Sequence, residues 1–256
     1  MKDKNKKYEW NLNPLYKSLD DNNIRTATEN IVKAYEDFAL KYDKQDKQYL
    51  IDDNKLLEAL NDFEKIMIIS DKNPLLYLYY REVLNSSDKK VIQLKNQFSD
   101  ILTKAENKIL FFKLSLGSIK PERQKEILNN DKLKKFHFLL KCIFIDSKYF
   151  LSDKEEQILS LKYNVSHGLW TSTNSKILNS LSVKYKGKIL PINEALGKIQ
   201  DLKKKERDDL YSKITDKLQE ISVFSEAEIN AVIKNKKIDD DLRGAKSPDE
   251  ITIKNY

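Results

Sequence analysis

Glycine and proline, five of each in 256 residues, punctuate this chain so sparsely that long uninterrupted helices are the expected outcome. The apolar residues agree. Ile24, Ala27, Ile31, Ala34, Tyr35, Phe38 and Tyr42 recur at i, i+3 and i+4, and Leu56, Leu57, Leu60, Phe63, Ile66, Met67 and Ile69 repeat the pattern over 55 to 69. Asn73-Pro74 restarts a helix through Leu75, Leu76, Tyr79, Tyr80 and Val83. Ser86-Ser87-Asp88 caps a longer one, running through Val91, Leu94, Phe98, Ile101, Leu102, Ala105, Ile109 and Phe112 until Gly117 closes it. Pro121 begins the next piece, with Ile127 and Leu128 and then Leu133 to Phe144. A 40% hydrophobic, 10% aromatic chain of this length can bury a real core.

From residue 151 the texture changes. Ser152-Asp153-Lys154-Glu155 is a capping box, in which the Ser152 hydroxyl accepts from the third helical N–H while Glu155 reaches back to the Ser152 N–H. The helix it starts carries Ile158, Leu159, Leu161 and Tyr163 toward Trp170, after which the small hydroxyl residues of Thr171 to Ser175 break the pattern. Leu178, Leu181, Val183 and Tyr185, then Ile189 and Leu190, flank Lys186-Gly187-Lys188, a β-branched and aromatic run with Gly at a tight connection that predicts a hairpin near 178–191. Pro191 ends it. A short helical piece over Ile192 to Leu196 and one long helix from Lys204 to Lys234 follow, the latter with Leu210, Tyr211, Ile214, Leu218, Ile221, Ile229 and Ile233 at helical spacing. Asp239-Asp240-Asp241-Leu242-Arg243-Gly244 reads as an acidic turn in which Gly takes a left-handed conformation. The expected class is all-α, long antiparallel helices with one small β-hairpin. The seam near Asp146 to Ser152 divides a helical lobe, 1–150, from a helix, hairpin and helix segment, 151–256.

This order of parts resembles the N-terminal half of the oligoendopeptidase F family of zinc peptidases, in the thimet oligopeptidase-like superfamily. The residues that carry the resemblance are the Leu151-Ser152 to Glu155-Glu156 helix start with Trp170 on the same helix, the hairpin followed by Leu190 to Leu196, and the charged helix leading to Asp239 to Gly244. Glu9-Trp10-Asn11-Leu12-Asn13-Pro14-Leu15-Tyr16 with Asp20-Asp21 is similar to the family's opening. The resemblance implies a short-peptide endopeptidase whose Zn²⁺ is held by the two His of H-E-x-x-H plus a downstream Glu, the Glu of the motif acting as general base. It also implies that this site lies in a C-terminal half, beyond Tyr256. His137 in Phe136-His137-Phe138 and His167 in Ser166-His167-Gly168 are the only histidines, and neither is followed by Glu. No catalytic, cofactor-binding or metal-ligating residue is therefore assigned, and no cofactor is expected in this chain.

Other constellations have plainer readings. The dense row Leu75-Leu76-Tyr77-Leu78-Tyr79-Tyr80 suits a substrate channel, because Tyr offers an apolar face and a hydroxyl, but a helix buried on several sides is the expectation. Asp239 to Glu250 partly spells a calcium loop, which fails because Arg243 stands where an oxygen ligand is needed. Glu155 and Glu156 point to different faces of a helix, and Ser152, Ser166 and Thr171 to Ser175 lack a nucleophile elbow or a paired base. There is no Gly-rich phosphate loop. Cys142, the lone cysteine, lies among Leu139, Leu140, Ile143, Phe144 and Ile145 and is expected to be a buried thiol serving as a small hydrophobe.

A net charge of +7 invites a nucleic-acid reading, yet only five of the 47 basic residues are Arg, the residue favoured for bidentate phosphate and base contacts. No nucleic-acid partner is expected. Ile109 to Leu116 and Phe138 to Ile145 are too short to span a bilayer, and Met1 to Tyr8 is basic without a following apolar run, so no membrane partner and a cytoplasmic location are expected. The functional expectation is a substrate-enclosing lobe, inactive alone, partnered by the catalytic half of the peptidase and meeting short peptides only in the complete enzyme. The alternative is a stand-alone helical interaction module without catalytic activity. A lobe of this kind is expected to expose a contiguous apolar patch, located at the hairpin and the helix from Lys204 to Lys234.

Overall fold

The structure is a computed structural model that describes residues 10–70, 74–85 and 88–253. Expectations resting on Glu9, Asn73, Ser86 and Ser87 lie outside the described residues. The chain is all-α with one small antiparallel hairpin. The described residues fall into two units, one ending at Gln157 and the other spanning Ile158–Ile253.

The first unit holds helices α1 (Asn22–Tyr42), α2 (Asp53–Ser70), α3 (Pro74–Leu84), α4 (Lys89–Asn107), α5 (Leu110–Gly117), α6 (Pro121–Leu128) and α7 (His137–Asp146). Their starts are set by local chemistry. Asp21 caps α1 by accepting from the Asn23 N–H, and Asp88 caps α4 by accepting from Lys90 and Val91. Pro121 opens α6, where its missing N–H costs nothing. The core gathers around Phe112, which meets Phe38 edge to face at 5.1 Å and lies 5.3 Å from Phe63. Tyr35, Tyr42, Tyr49, Leu56 and Leu60 close it.

A smaller cluster of Ile24, Tyr77 and Leu78 holds the N-terminal segment through Leu12, Tyr16 and Leu19. Trp10 lies edge-on to Tyr80 at 5.2 Å and Tyr16 to Tyr77 at 5.3 Å. The row on α3 is thus not buried on several sides. Pro74, Tyr77 and Leu78 are buried while Leu76, Tyr79, Val83 and Leu84 face solvent, a two-sided helix with its own N-terminal segment on the inner face.

The second unit completes α8 (Asp153–Tyr163), then adds a π-helical turn (Asn164–Gly168), α9 (Leu169–Ser180), strands β1 (Ser182–Tyr185) and β2 (Lys188–Pro191), α10 (Ile192–Lys198), α11 (Lys204–Glu220), α12 (Ser222–Leu242) and α13 (Glu250–Ile253). Lys186 and Gly187 both have positive φ, +46° and +77°, the backbone of a two-residue turn that matches the twist of the strands. Val183 pairs with Leu190, and both turn inward with Tyr185 onto Ile192, Ala195, Leu210 and Ile214. Leu178 belongs to α9, so the hairpin opens after Leu181.

Three expected features take a different form. The helix expected from 86 to 117 is broken at Ile109, and the one from 204 to 234 at Ile221. Both residues have φ −107° with ψ near zero, the sparsely allowed bridge region, and Phe136 enters α7 the same way at φ −106°, ψ 3°. All three are buried. A side chain driven into the core, rather than a glycine or proline, re-aims the helix there. Gly117 does end α5, but not through a left-handed backbone, since Gly187 and Gly244 are the glycines with positive φ among the described residues.

Thr171 to Ser175 do not break a helix either. Thr171 Oγ1 donates to the Gly168 carbonyl at 3.1 Å and Ser172 Oγ to Leu169 at 3.2 Å, so the hydroxyls bond back to their own helix. Asp239, Asp240 and Asp241 likewise sit in the last turn of α12 rather than in a loop. The turn comes after them: Ala245 N–H reaches the Asp240 carbonyl at 2.9 Å and Gly244 N–H the Asp241 carbonyl at 3.2 Å, a Schellman cap with Gly244 at φ +70°.

Candidate functional site

The residues that chemistry would need are held by structural partners. His137, at the start of α7, has Nε2 at 3.1 Å from the Asn130 carbonyl. His167, in the π turn of the second unit, stacks on Tyr163 with centroids 4.9 Å apart and planes 15° from parallel. Among the described residues no group of three or more His, Cys, Asp or Glu is placed to hold a metal ion.

The carboxylates beside the α8 start are also committed. Glu155 accepts from the Ser152 N–H at 2.9 Å and from its hydroxyl at 2.6 Å, while Glu156 accepts from the Leu151 N–H at 3.0 Å. The reciprocal half of the capping box thus takes a different form, with the serine donating to the glutamate. Hydrogen bonds from Ser152 hold the Glu155 carboxyl below its usual range. Asp240, buried near the end of α12, pairs with Lys236 at 2.5 Å. Cys142 is free and only half-buried, more open than its apolar neighbours suggested.

A charged network bridges α1 and α2. Lys41 Nζ reaches Glu58 at 2.6 Å and Asp62 at 2.8 Å, and the Tyr42 hydroxyl donates to Asp62 at 2.8 Å. Burial would raise the Asp62 carboxyl, but the hydrogen bonds from Lys41, Lys65 and Tyr42 outweigh it and hold the group below the usual carboxylate range. Burial pushes the Tyr42 hydroxyl up to about 12. This is a helix clamp, with Lys41 half in solvent.

What remains is surface. A groove of about 580 Å³ in the first unit has Glu36, Asp43 and Asp153 around Leu40 and Phe111, with Glu36 paired to Lys108 at 2.6 Å. In the second unit, Leu178, Leu218, Ile221 and Ile229 line a mostly apolar groove of about 460 Å³. The hairpin and the region from 204 to 234 do carry exposed apolar side chains, among them Ile189, Tyr211, Val223, Ile229 and Ile233. The sequence did not anticipate a further row. Ile158, Leu161, Val165 and Leu169 are 55%, 48%, 59% and 53% exposed, at spacings of three, four and four along α8, the π turn and α9. Neither α8 nor α9 contributes a fully buried residue. The spacing was visible in the sequence; that it faces solvent was not.

No helix among the described residues is long and apolar enough to cross a membrane.

Comparison with known proteins places this arrangement. Residues 116–182 match an N-terminal peptidase M3 family model described as Oligopeptidase F. No curated protein matches the chain. Among solved structures, oligoendopeptidase-F from Enterococcus faecium is similar over 90% of this chain and 47% of its own, with TM-score 0.72 and 11% identity. A putative peptidase from Chlamydophila abortus is similar over 96% of this chain and 42% of its own, with TM-score 0.56 and 16% identity. At these identities the likeness is one of fold, and the chain spans less than half the length of either structure. By its family-model match over 116–182 and by its fold over nine-tenths of its length, the chain is similar to the N-terminal half of an oligoendopeptidase F-like peptidase.

Proposed function

We propose that this chain is the substrate-enclosing N-terminal lobe of an oligoendopeptidase F-like zinc peptidase, inactive on its own and partnered by a half that carries H-E-x-x-H. The observation that carries the reading is the match of 116–182 to the N-terminal family model, set inside a fold shared with oligoendopeptidase-F. The lobe's part in cleavage is then shape: it walls the zinc-bearing half and limits access to short peptides, while binding of metal and activation of water fall to the other half. A lone cysteine and the absence of a membrane-length helix among the described residues are in keeping with work in the cytoplasm.

The test is incubation of the purified chain with a quenched series of short peptides, with and without added zinc, and again with an H-E-x-x-H segment encoded by the same genome. The expected result is no cleavage and no stoichiometric zinc from the chain alone, with chelator-sensitive cleavage of short peptides when the second segment is supplied. Chelator-sensitive cleavage that tracks the pure chain would overturn the reading. No association with any H-E-x-x-H segment would make the stand-alone interaction module the better account.

A further inference from the structure

Residues 10–21 of the first unit lead into α1 as a series of turns, with neither helix nor strand. Backbone hydrogen bonds fold the segment onto itself: the Leu15 and Tyr16 N–H groups donate to the Leu12 carbonyl at 2.9 and 3.2 Å, and the Asp21 N–H donates to the Ser18 carbonyl at 3.3 Å. None of these residues is fully buried. Side chains hold the segment down. Leu12, Tyr16 and Leu19, with Leu94 and Phe98 of α4, cover the buried trio Ile24, Tyr77 and Leu78. Trp10 on Tyr80 adds to the contact, as does the Asp20 to Lys90 ion pair at 2.7 Å, which contributes little because both side chains are mostly in solvent. Asp21 is the fixed end. Its carboxylate accepts from the Lys17 and Asn23 N–H groups, both at 3.0 Å, and so ties the segment to the start of α1.

Under this segment lies a polar atom with nothing to bond. Tyr77, whose ring meets Tyr16 edge to face at 5.3 Å, is 1% exposed, and its hydroxyl is buried with no hydrogen-bond partner among the described residues. A phenol buried in this way forfeits the hydrogen bonds that water would give it, so the closed arrangement carries a cost that exposure removes. Lifting a segment of turns also breaks no helix or sheet ladder. Local openings of this kind lie below the free energy of global unfolding. We propose that residues 10–21 are a latch on the first unit, hinged at Asp21, that lifts from α3 while the core around Phe112 stays folded. Helix α3 keeps its seat on α4 through Leu94, Phe98 and the Glu82–Lys95 ion pair. Lifted, the latch presents Tyr77 and Tyr80 as an aromatic surface that the protein's own segment otherwise occupies.

The test is native-state proteolysis of the full chain by trypsin, with initial rates of cleavage after Lys17 in the latch and after Lys65 in α2 read by mass spectrometry over a series of low urea concentrations. When opening is fast relative to cleavage, the rate at a site reports the population of its open form. Cleavage after Lys17 should be faster by about tenfold or more and rise little with urea, while cleavage after Lys65 should rise steeply, because the urea slope scales with the surface exposed. Two variants leave the latch sequence untouched, and circular dichroism checks that each is folded. Tyr77→Phe keeps the ring and removes the unbonded hydroxyl, and should slow cleavage after Lys17 about threefold to tenfold. Tyr80→Ala removes the ring that Trp10 meets, and should speed that cleavage by about the same factor. Equal rates and equal urea slopes at Lys17 and Lys65 would mean that the segment leaves only on global unfolding, and would overturn the latch. Fast cleavage after Lys17 that neither variant changes would mean that trypsin cuts the closed form, and would overturn it too. Faster cleavage in Tyr77→Phe would overturn the part assigned to the hydroxyl.

Discussion

Gly117 and Phe150 are packed so closely that a β-carbon on Gly117 would stand 2.7 Å from Cε2 of the Phe150 ring, and 2.7 Å from the Ser147 β-carbon as well. Helix α5 therefore ends in glycine for want of space. Gly117→Ala is expected to destabilise the protein by about 1–3 kcal/mol, the usual cost of forcing a methyl group into a filled core. Urea unfolding followed by circular dichroism measures it. Gly197 is the control: nothing lies within 4 Å of its would-be β-carbon, and its backbone is helical, so Gly197→Ala should be neutral or stabilising by up to about 1 kcal/mol. Equal effects at the two sites would contradict the close approach.

At Gly244 the reason is conformational. Its φ of +70° is a region that side chains disfavour, while the space around it is open. Gly244→Ala should cost about 1–2 kcal/mol and leave the fold intact. Hydrogen exchange would show the loss as faster exchange at Gly244 and Ala245, whose N–H groups make the cap, with the first unit unchanged.

The Asp62 clamp makes a prediction with pH. A carboxyl held below its usual range in the folded state contributes stability that is full above its unfolded value, about 3.9, and is lost as pH falls through the lower folded value. Asp62→Asn should therefore lower stability at pH 7 by about 1 kcal/mol, a figure kept small because Lys41 is half in solvent. The gap between wild type and variant should persist down to about pH 5 and narrow below about pH 4. A gap that widened on acidification would reverse the assigned sign.

Burial separates Leu133 from Val165. Leu133 is fully buried, and Leu133→Ala should cost about 2–5 kcal/mol. Val165 is 59% exposed, and Val165→Glu should change stability by no more than about 0.5 kcal/mol in the isolated chain. Thermal melts of the two variants give the comparison; a large loss at Val165 would mean that the row on α8 and α9 serves the fold itself.

The candidate surface was legible only in part. The lack of an H-E-x-x-H pattern at His137 or His167 follows from the order of residues alone. So does the helical spacing of Ile158, Leu161 and Val165. Their exposure does not, because an apolar row looks the same in sequence whether the chain buries it or leaves it open. The same ambiguity misplaced α3: Leu75 to Tyr80 is apolar all round, and only the packing of Trp10 and Tyr16 on Tyr80 and Tyr77 shows which side is inner.

What the residues determined by themselves are contacts between a side chain and backbone groups a few residues away, and the turns that glycine permits. Asp21, Asp88 and Glu155 satisfy free N–H groups within three residues, and Gly187 and Gly244 supply backbones that other residues resist. Those features are read from spacing because the interacting groups are adjacent in the chain. Only the tertiary structure decided where α4 gives way to α5 and α11 to α12. Ile109 and Ile221 carry no breaking chemistry, and each bends the backbone at φ −107° because burying its side chain outweighs continuing the helix. That balance is struck against distant residues, which no local pattern records.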